Sequence, residues 1–279
     1  MSHVTLTHVP RSNLTEQLDM SESQSQVFLF NNSDPAMQTA NEKARESFRY
    51  FWREVFWERH RIIPALDLAC VKLPFADGRA TKKTDHPNVE QMWISEIDFD
   101  GQFVSGVLQN SPNWVKSVKA GDRVRRPVSE ISDWMFAMSD RVYGAFTVNL
   151  MRFRMSEQER AGHDRAWGLD FGDPSTVRVP TTAKSGDSDY PEHPVSENMA
   201  PSLQEAISKD SNIPKSKDKR GWTYLHNHSL AGSAATVKVL LDGGADVNAA
   251  TEEGLTALQL ARSQGWTKVV DLLLSKGAK

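Results

Sequence analysis

Cysteine is almost absent from the chain, since Cys70 is the only one among 279 residues. A single thiol excludes an internal disulfide framework and a zinc site built on several cysteines. A dominant charge is absent too, because 33 Lys and Arg residues against 36 Asp and Glu residues leave a formal net charge of -3. This balance gives no general attraction to nucleic acid or anionic lipid, so neither is expected as a partner.

Long apolar runs are also missing, and nowhere do about eighteen apolar residues follow one another. Residues 1–26 are polar, rich in Ser and Gln, and predicted to be flexible. They do not have the charged and then apolar order of a secretion signal. These absences predict a soluble, cytoplasmic protein without a membrane segment.

The C-terminal part of the sequence contains an internal repeat. Residues 221–226 align with residues 254–259, so the period is 254 minus 221, or 33 residues. Thr223 and its counterpart Thr256 stand where a hydroxyl oxygen can cap the first turn of a helix. The same shift superposes Gly232 on Gly265, Val237 on Val270 and Leu240 on Leu273. The stretch therefore resembles ankyrin repeats, in which each unit is a turn followed by two antiparallel helices.

Two positions depart from the ankyrin pattern. Tyr224 replaces the usual Pro and His228 replaces the usual Ala, so both bulky side chains are expected to fill space against a neighbour. His226 and His228 also form a His-x-His pair. Two ligands do not make a zinc site, and no metal is expected.

The repeat array is short. An apolar stripe predicts the second helix of a degenerate first repeat at Leu203, Ala206 and Ile207. Residues 202–279 then comprise half a repeat and two full repeats, fewer than the three or so that an array needs to bury its apolar faces. The repeats are therefore expected to dock on the N-terminal domain. Residues 180–201, rich in Pro, Ser and acidic residues, are predicted to be a linker.

Residues 27–179 predict an α+β domain with an antiparallel sheet and a long helix, whereas the C-terminal region predicts all-α helical hairpins. Asp34 and Pro35 mark the start of the long helix as its N-cap and first residue. Strands are predicted at 27–30, 89–97 and 103–108, and the domain continues through segments at 66–73, 124–128, 131–136 and 143–148. The strands at 89–97 and 103–108 are predicted to form a hairpin.

The long helix is predicted to be amphipathic. Its apolar residues recur at spacings of three and four, at Ala40, Ala44, Phe48, Phe51, Trp52 and Val55. Arg45, Arg49 and Arg53 form a line elsewhere on the helix. This line is interpreted as a solvated face, and the alternative is an anion-binding stripe.

Short motifs along this domain carry a second family resemblance. They are Phe51-Trp52-Arg53, Arg61-Ile62-Ile63-Pro64, Glu90-Gln91-Met92-Trp93, Asn110-Ser111-Pro112, Gly121-Asp122-Arg123-Val124, Ile131-Ser132-Asp133-Trp134-Met135 and Gly144-Ala145-Phe146-Thr147. Over most of residues 36–175 the chain resembles the bacterial YegJ-like family of domains of unknown function. The resemblance implies no particular activity, because none is settled for that family.

The same domain offers few residues for catalysis. No nucleophile paired with a base, no carboxylate pair and no metal cluster can be read from the sequence. Asp133 beside Trp134 is the most suggestive carboxylate, since desolvation by a large ring raises the pKa of an acid. Together with Trp93, these residues define a hypothetical ligand pocket. The alternative is that Asp133 caps a turn and Trp134 fills the core. No catalytic residue or cofactor is assigned, and Cys70 is assigned to the core.

The turn tips of the repeats are the predicted partner-binding surface. They carry Lys219, Arg220, Trp222 and Tyr224 in the first full repeat, and Glu252, Glu253 and Leu255 in the second. Trp and Arg are residue types that often anchor protein interfaces. The alternative for Trp222 and Arg220 is that both are solvated or engaged with the N-terminal domain.

These features favour a non-enzymatic protein that binds another protein. A finer hypothesis is an immunity or adaptor protein that binds and neutralises a bacterial toxin or effector, because short ankyrin arrays and domains of unknown function occur among such proteins. The rival hypothesis is an enzyme or small-ligand-binding protein with a pocket in the N-terminal domain.

Overall fold

The computed structural model describes residues 34–78, 89–180 and 191–279. The predicted strand at 27–30 and the predicted flexible segment at 1–26 lie outside these residues.

The long helix, α1, spans Pro35–Glu58 and begins as predicted. Asp34 accepts a hydrogen bond from Ala36 N at 3.0 Å, and Pro35 occupies the first turn, where a helix does not need its N–H group. The N-terminal part of α1 buries one apolar face. From residue 51 to residue 57 every side chain is buried, because α1 is covered there on more than one side.

Six antiparallel strands form one sheet in the order β4-β3-β2-β1-β5-β6. The strands are β1 Leu68–Phe75, β2 Glu90–Phe99, β3 Phe103–Leu108, β4 Arg123–Pro127, β5 Asp133–Met138 and β6 Arg141–Gly144. The predicted hairpin is confirmed, since β2 pairs with β3 and Phe99 lies opposite Val104.

Successive side chains of a strand point to opposite faces of the sheet, and both faces of this sheet carry apolar side chains. Val71 of β1 and Trp134 of β5 lie on the face that α1 covers, where the Phe51 and Trp134 ring centroids are 5.6 Å apart. Cys70 and Met135 lie on the opposite face, in a second apolar cluster. The assignment of Cys70 to the core is confirmed, and burial raises the pKa of its thiol.

The segment at 143–148 changes from strand to helix, because β6 ends at Gly144 and helix α2, Phe146–Arg154, follows. Ala145 between β6 and α2 has a left-handed backbone, with a φ of 59°. The carboxylate of Asp133 accepts two N–H groups in the first turn of α2, at 2.9 and 2.8 Å. A buried acid from another strand therefore caps the helix. Helix α3, Glu157–Trp167, follows.

The C-terminal region is helical, as predicted. Its helices are α4 Pro194–Lys209, α5 Tyr224–Leu230, α6 Ala234–Asp242, α7 Ala257–Ser263 and α8 Thr267–Ser275. Helices α5 and α7 pack together as an inner row, and α6 packs on both α4 and α8 in an outer row. Thr223 and Thr256 cap the inner helices by accepting backbone N–H groups at 3.4 and 3.3 Å.

Helix α4 begins inside the predicted linker at 180–201, so that prediction does not hold from Pro194 onward. Proline is compatible with the first turn of a helix, and His193 Nδ1 caps that turn by accepting Val195 N–H at 3.2 Å. Ile207 of α4 belongs to the same apolar cluster as the core residues of α6. Helix α4 thus occupies the place that the degenerate first repeat predicts for its second helix.

Candidate protein-interaction surface

The inner row of the repeats faces the sheet domain, residues 34–171. Leu230 of α5 and Leu260 of α7 belong to the same apolar cluster as Phe99 of β2. The turn between β2 and β3 passes so close that a Cβ atom on Gly101 would lie 2.6 Å from Leu260 Cδ2. Repeat arrays commonly bind partners through their concave side, and here the row that would line it is covered by the same chain.

The end of α1 packs against His228 of α5. The ring centroids of Phe56 and Trp57 lie 5.2 and 5.6 Å from that of His228. Burial lowers the pKa of His228 to about 3, and the neighbouring His60 adds to the effect. The predicted space-filling role of His228 is confirmed. Tyr224, by contrast, remains 45% exposed.

A buried polar cluster lies beside these rings. The carboxylate of Glu54 lies 3.3 Å from His193 Nε2 and 3.5 Å from the Arg61 guanidinium. The His193 ring is also parallel to the ring of Trp57, with centroids 5.8 Å apart. Although burial raises the pKa of Glu54, the hydrogen bond from His193 and the charges of His193 and Arg61 outweigh it and lower that pKa. Glu54 therefore connects α1 to the start of α4.

The arginine line of α1 is not a solvated face. Arg49 Nη1 donates to two carbonyl oxygens in the turn between α7 and α8, at 2.9 and 3.2 Å. The guanidinium groups of Arg49 and Arg53 each lie 5.4 Å from the ring centroid of Trp266 in that turn. Arg45 donates to Ile131 O at 3.0 Å. The interpretation as a solvated face is wrong, because these cations contact backbone carbonyls and an aromatic ring.

Replacing Arg49 by Met is expected to lower the free energy of unfolding by about 1.5 to 3 kcal/mol, since a charged donor to two carbonyls is lost while the aliphatic stem is kept. Urea denaturation followed by circular dichroism measures this loss. The matched control is Arg123→Met on the edge strand β4, whose exposed guanidinium lies 3.2 Å from Glu96. The control variant should have a free energy of unfolding less than about 1 kcal/mol below that of the wild type. Equal losses would show that Arg49 contributes no more than an exposed arginine.

The predicted partner-binding residues fall into two groups. Trp222 is only 6% exposed and belongs to the apolar cluster of the sheet domain, against which Leu255 also packs. Arg220 lies 3.6 Å from Asp100 of the sheet domain and 3.1 Å from Glu253. The exposed members are Lys219, Arg220, Tyr224, Glu252 and Glu253. Trp222 and Arg220 therefore both contact the sheet domain.

The hypothetical pocket at Trp93, Asp133 and Trp134 does not form. Trp134 is fully buried on the α1 side of the sheet, where its Nε1 donates to Ala44 O at 2.8 Å. Asp133 and Trp93 lie on the other face as neighbours of Lys72, whose Nζ is 4.5 Å from the Trp93 ring centroid. Successive residues of a strand point to opposite faces, so Asp133 and Trp134 cannot line one pocket. The alternative, a capping acid beside a core tryptophan, is confirmed.

An exposed apolar loop follows α1. Ile62 is 99% exposed and Ile63 is 80% exposed. The loop is held in place, because the Glu58 carboxylate accepts Ala65 N–H at 3.0 Å and pairs with Arg61 at 2.8 Å. Sequence reasoning missed these two residues, since isoleucine is usually assigned to the core. The available signal was the charged segment before them and the proline after them.

Within residues 34–78, 89–180 and 191–279, no three His, Cys, Asp or Glu side chains are placed to bind one metal ion. None of the helices in those ranges is long and apolar enough to cross a membrane. The large apolar side chains that are exposed there are Ile62, Ile63, Phe153, Tyr224 and Leu274.

Two family models match the chain. One, described as an uncharacterized protein conserved in bacteria (DUF2314), matches residues 34–171. The other, described as ankyrin repeats in three copies, matches residues 195–279. A putative ankyrin repeat protein of Neisseria meningitidis serogroup B is 42% identical over 248 residues, which cover 88% of this chain and 96% of that protein.

Two further proteins are similar to parts of the chain. The uncharacterized protein YegJ of Escherichia coli is 30% identical over 86 residues, or 30% of this chain and 56% of that protein. The crystal structure of the human ASB11 ankyrin repeat domain is 30% identical and covers 32% of this chain and 41% of its own chain, with a TM-score of 0.27.

Proposed function

Since the chain belongs to the ankyrin repeat proteins that carry an N-terminal DUF2314 domain, we propose that its two parts act together as one protein-binding unit. Both resemblances inferred from the sequence, to the YegJ-like family and to ankyrin repeats, are confirmed by these matches. Ankyrin repeats indicate a protein–protein interaction module.

The inner row of the repeats packs against the sheet domain, and this observation supports the proposal. Trp222, Leu230 and Leu260 are buried against this domain, so they offer no surface to a partner. In this proposal the docking of the repeats is part of the active form of the protein. A partner then binds to side chains that remain exposed around the contact between the two parts.

We call these side chains the junction rim, which comprises Ile62, Ile63, Lys219, Tyr224, Glu252 and Glu253. The loop and the repeats meet at His228, whose ring centroid lies 6.2 Å from that of His60 and 6.3 Å from that of Tyr224. The rim contains both apolar and charged side chains. A typical protein interface likewise has an apolar centre and a polar edge. Burying one isoleucine contributes about 1.5 to 3 kcal/mol, so the two together can anchor a partner.

The double variant Ile62→Glu with Ile63→Glu is expected to weaken partner binding at least about tenfold, because two charges replace the apolar anchor. The measurement is capture from an extract of the bacterium that encodes the chain, with the full-length protein as bait, followed by titration of the purified partner. Phe153→Glu is the matched control, since Phe153 is 61% exposed on α2 and lies outside the rim. The control should bind the partner as tightly as the wild type does. The proposal fails if the double variant also binds that tightly.

The class of partner that we propose is a toxin or effector, which would make the chain an immunity or adaptor protein. The support is an analogy, because short ankyrin arrays and domains of unknown function both occur among bacterial toxin-neutralising proteins. The captured partner, expressed alone, should then inhibit growth, and co-expression of the chain should restore it. Restoration should be lost with the Ile62→Glu, Ile63→Glu variant. A captured partner without any effect on growth would reject this class and leave the binding surface itself in place.

A further inference from the structure

A groove of about 770 Å³ opens on the sheet domain, and its lining includes no residue of the junction rim or of the hypothetical pocket at Trp93, Asp133 and Trp134. One wall is α1, which contributes Lys43 and Tyr50, seven residues apart and therefore on one side of the helix. Another is the edge strand β6, where the alternate residues Arg141 and Tyr143 point the same way. Phe146, the first residue of α2, completes the groove at its end.

A short extended segment forms the remaining wall. Val177, Arg178 and Val179 line the groove, and Gly144 N–H donates to Arg178 O at 2.8 Å, so the segment runs beside β6. The Arg178 side chain is tied back, because its guanidinium contacts the Asp170 carboxylate at 3.0 Å and the Asp170 carbonyl oxygen at 2.8 Å. It gives the groove a fixed cation.

The charge of the lining is positive. Three cations, Lys43, Arg141 and Arg178, face the groove against one carboxylate, Glu46. Lys43 and Arg141 are exposed and stand on different walls. Two cations that approach from different directions suit an anionic group placed between them.

The groove also offers rings. Tyr143 is held by parallel stacking on Phe136, with centroids 4.8 Å apart. Tyr50 lies 5.9 Å from the ring of Trp266, so the α1 wall is also held in place by the repeats. Fixed aromatic side chains beside cations favour a planar ring that carries a negative group.

We propose that this groove binds a small aromatic anion, with its phosphate or carboxylate between Lys43 and Arg141 and its ring against Tyr143 and Phe146. The volume is within the range of about 300 to 1,000 Å³ of small-molecule sites. The site uses none of the residues of the junction rim, so it can be tested separately from protein binding.

Phenyl phosphate is the minimal probe, because it joins one ring to one anionic group. Titration of the full-length, isotope-labelled protein by NMR is expected to give saturable shifts at Tyr143, Val177 and Val179, with a Kd in about the millimolar range. Phenol, which lacks the anion, and inorganic phosphate, which lacks the ring, should each bind at least about fivefold more weakly.

Lys43→Ala with Arg141→Ala should weaken phenyl phosphate binding at least about fivefold, since both replaced side chains are exposed and their loss leaves the fold intact. Arg123→Ala, an exposed arginine on β4, is the control and should bind as the wild type does. The proposal is overturned if phenyl phosphate binds no more tightly than inorganic phosphate. It is equally overturned if the double variant keeps wild-type affinity, or if the shifts lie outside the groove.

Discussion

Replacing Asp133 by Ala is expected to lower the free energy of unfolding by about 3 to 5 kcal/mol, because the carboxylate is fully buried and its partners would be left without an acceptor. Asp133 accepts N–H groups from Trp134, Phe146 and Thr147 at 2.8 to 2.9 Å, and a hydrogen bond from the Thr147 hydroxyl. The ammonium of Lys72 donates to the same hydroxyl at 2.8 Å. Urea denaturation measures the loss.

Two further variants separate the charge from the packing. The combination of Lys72→Met with Asp133→Ala should lower the free energy of unfolding by about 1 to 3 kcal/mol less than the two single variants do in sum. The reason is that neither charge is then left alone in the core. Asp98→Ala is the control, because Asp98 is exposed and pairs with Arg59 at 3.2 Å. This variant should lower the free energy of unfolding by less than about 1 kcal/mol. A loss at Asp133 as small as that at Asp98 would contradict the structural role.

This role of Asp133 bears on function. Burial raises the pKa of Asp133, while the Lys72 charge and the hydrogen bonds from Thr147 and Phe146 oppose that rise. Such a combination is also typical of active-site acids. Here, however, the carboxylate faces the first turn of α2, and its hydrogen bonds fix the sharp change from β6 to α2. Asp133 therefore stabilises the fold, and the proposed binding sites lie at the surface.

The sequence predicts the features that depend on near neighbours in the chain. The start of α1 follows from Asp34 and Pro35, the hairpin from alternation on either side of a turn, and the inner helices from Thr223 and Thr256. In each case the cap or the turn lies within a few residues of the element that it defines.

The features that the sequence does not predict depend on distant partners. Arg49 has the spacing of a solvated face, and only the packed repeats supply the carbonyl oxygens that it contacts. The helix at Phe146 depends on a carboxylate thirteen residues earlier, on another strand. One signal for the junction was available, because the segment from residue 50 to residue 57 carries aromatic residues on every side of α1. A helix that is apolar all round is buried all round.

His228 is expected to make the folded protein sensitive to acid. Burial lowers the pKa of His228 from 6.5 to about 3, so between these pH values the unfolded chain binds a proton that the folded chain does not. Stability therefore falls as the pH falls. From pH 7.5 to pH 5 this imidazole should account for a loss of about 2 kcal/mol, and the full loss below pH 3 is about 5 kcal/mol. Urea denaturation at each pH measures the loss.

The variant His228→Asn isolates this contribution. An amide can replace Nδ1, which lies 2.8 Å from Thr236 Oγ1, but it takes up no proton in this pH range. Burial also lowers the pKa of His60 and of His226, which adds losses of the same sign, and both residues remain in the variant. The loss between pH 7.5 and pH 5 should therefore be smaller than in the wild type by about 2 kcal/mol.

Thr236→Val supplies the control, because it removes the hydrogen bond and keeps the imidazole. It should lower stability at pH 7.5 by about 1 kcal/mol and keep the wild-type loss on acidification. If His228→Asn and the wild type lose the same free energy between pH 7.5 and pH 5, His228 is not the source of the acid sensitivity. If the predicted difference is found, the contact between α1 and α5 is intact in solution. Tyr224 and His60, whose rings lie 6.3 and 6.2 Å from that of His228, are then held in place beside each other.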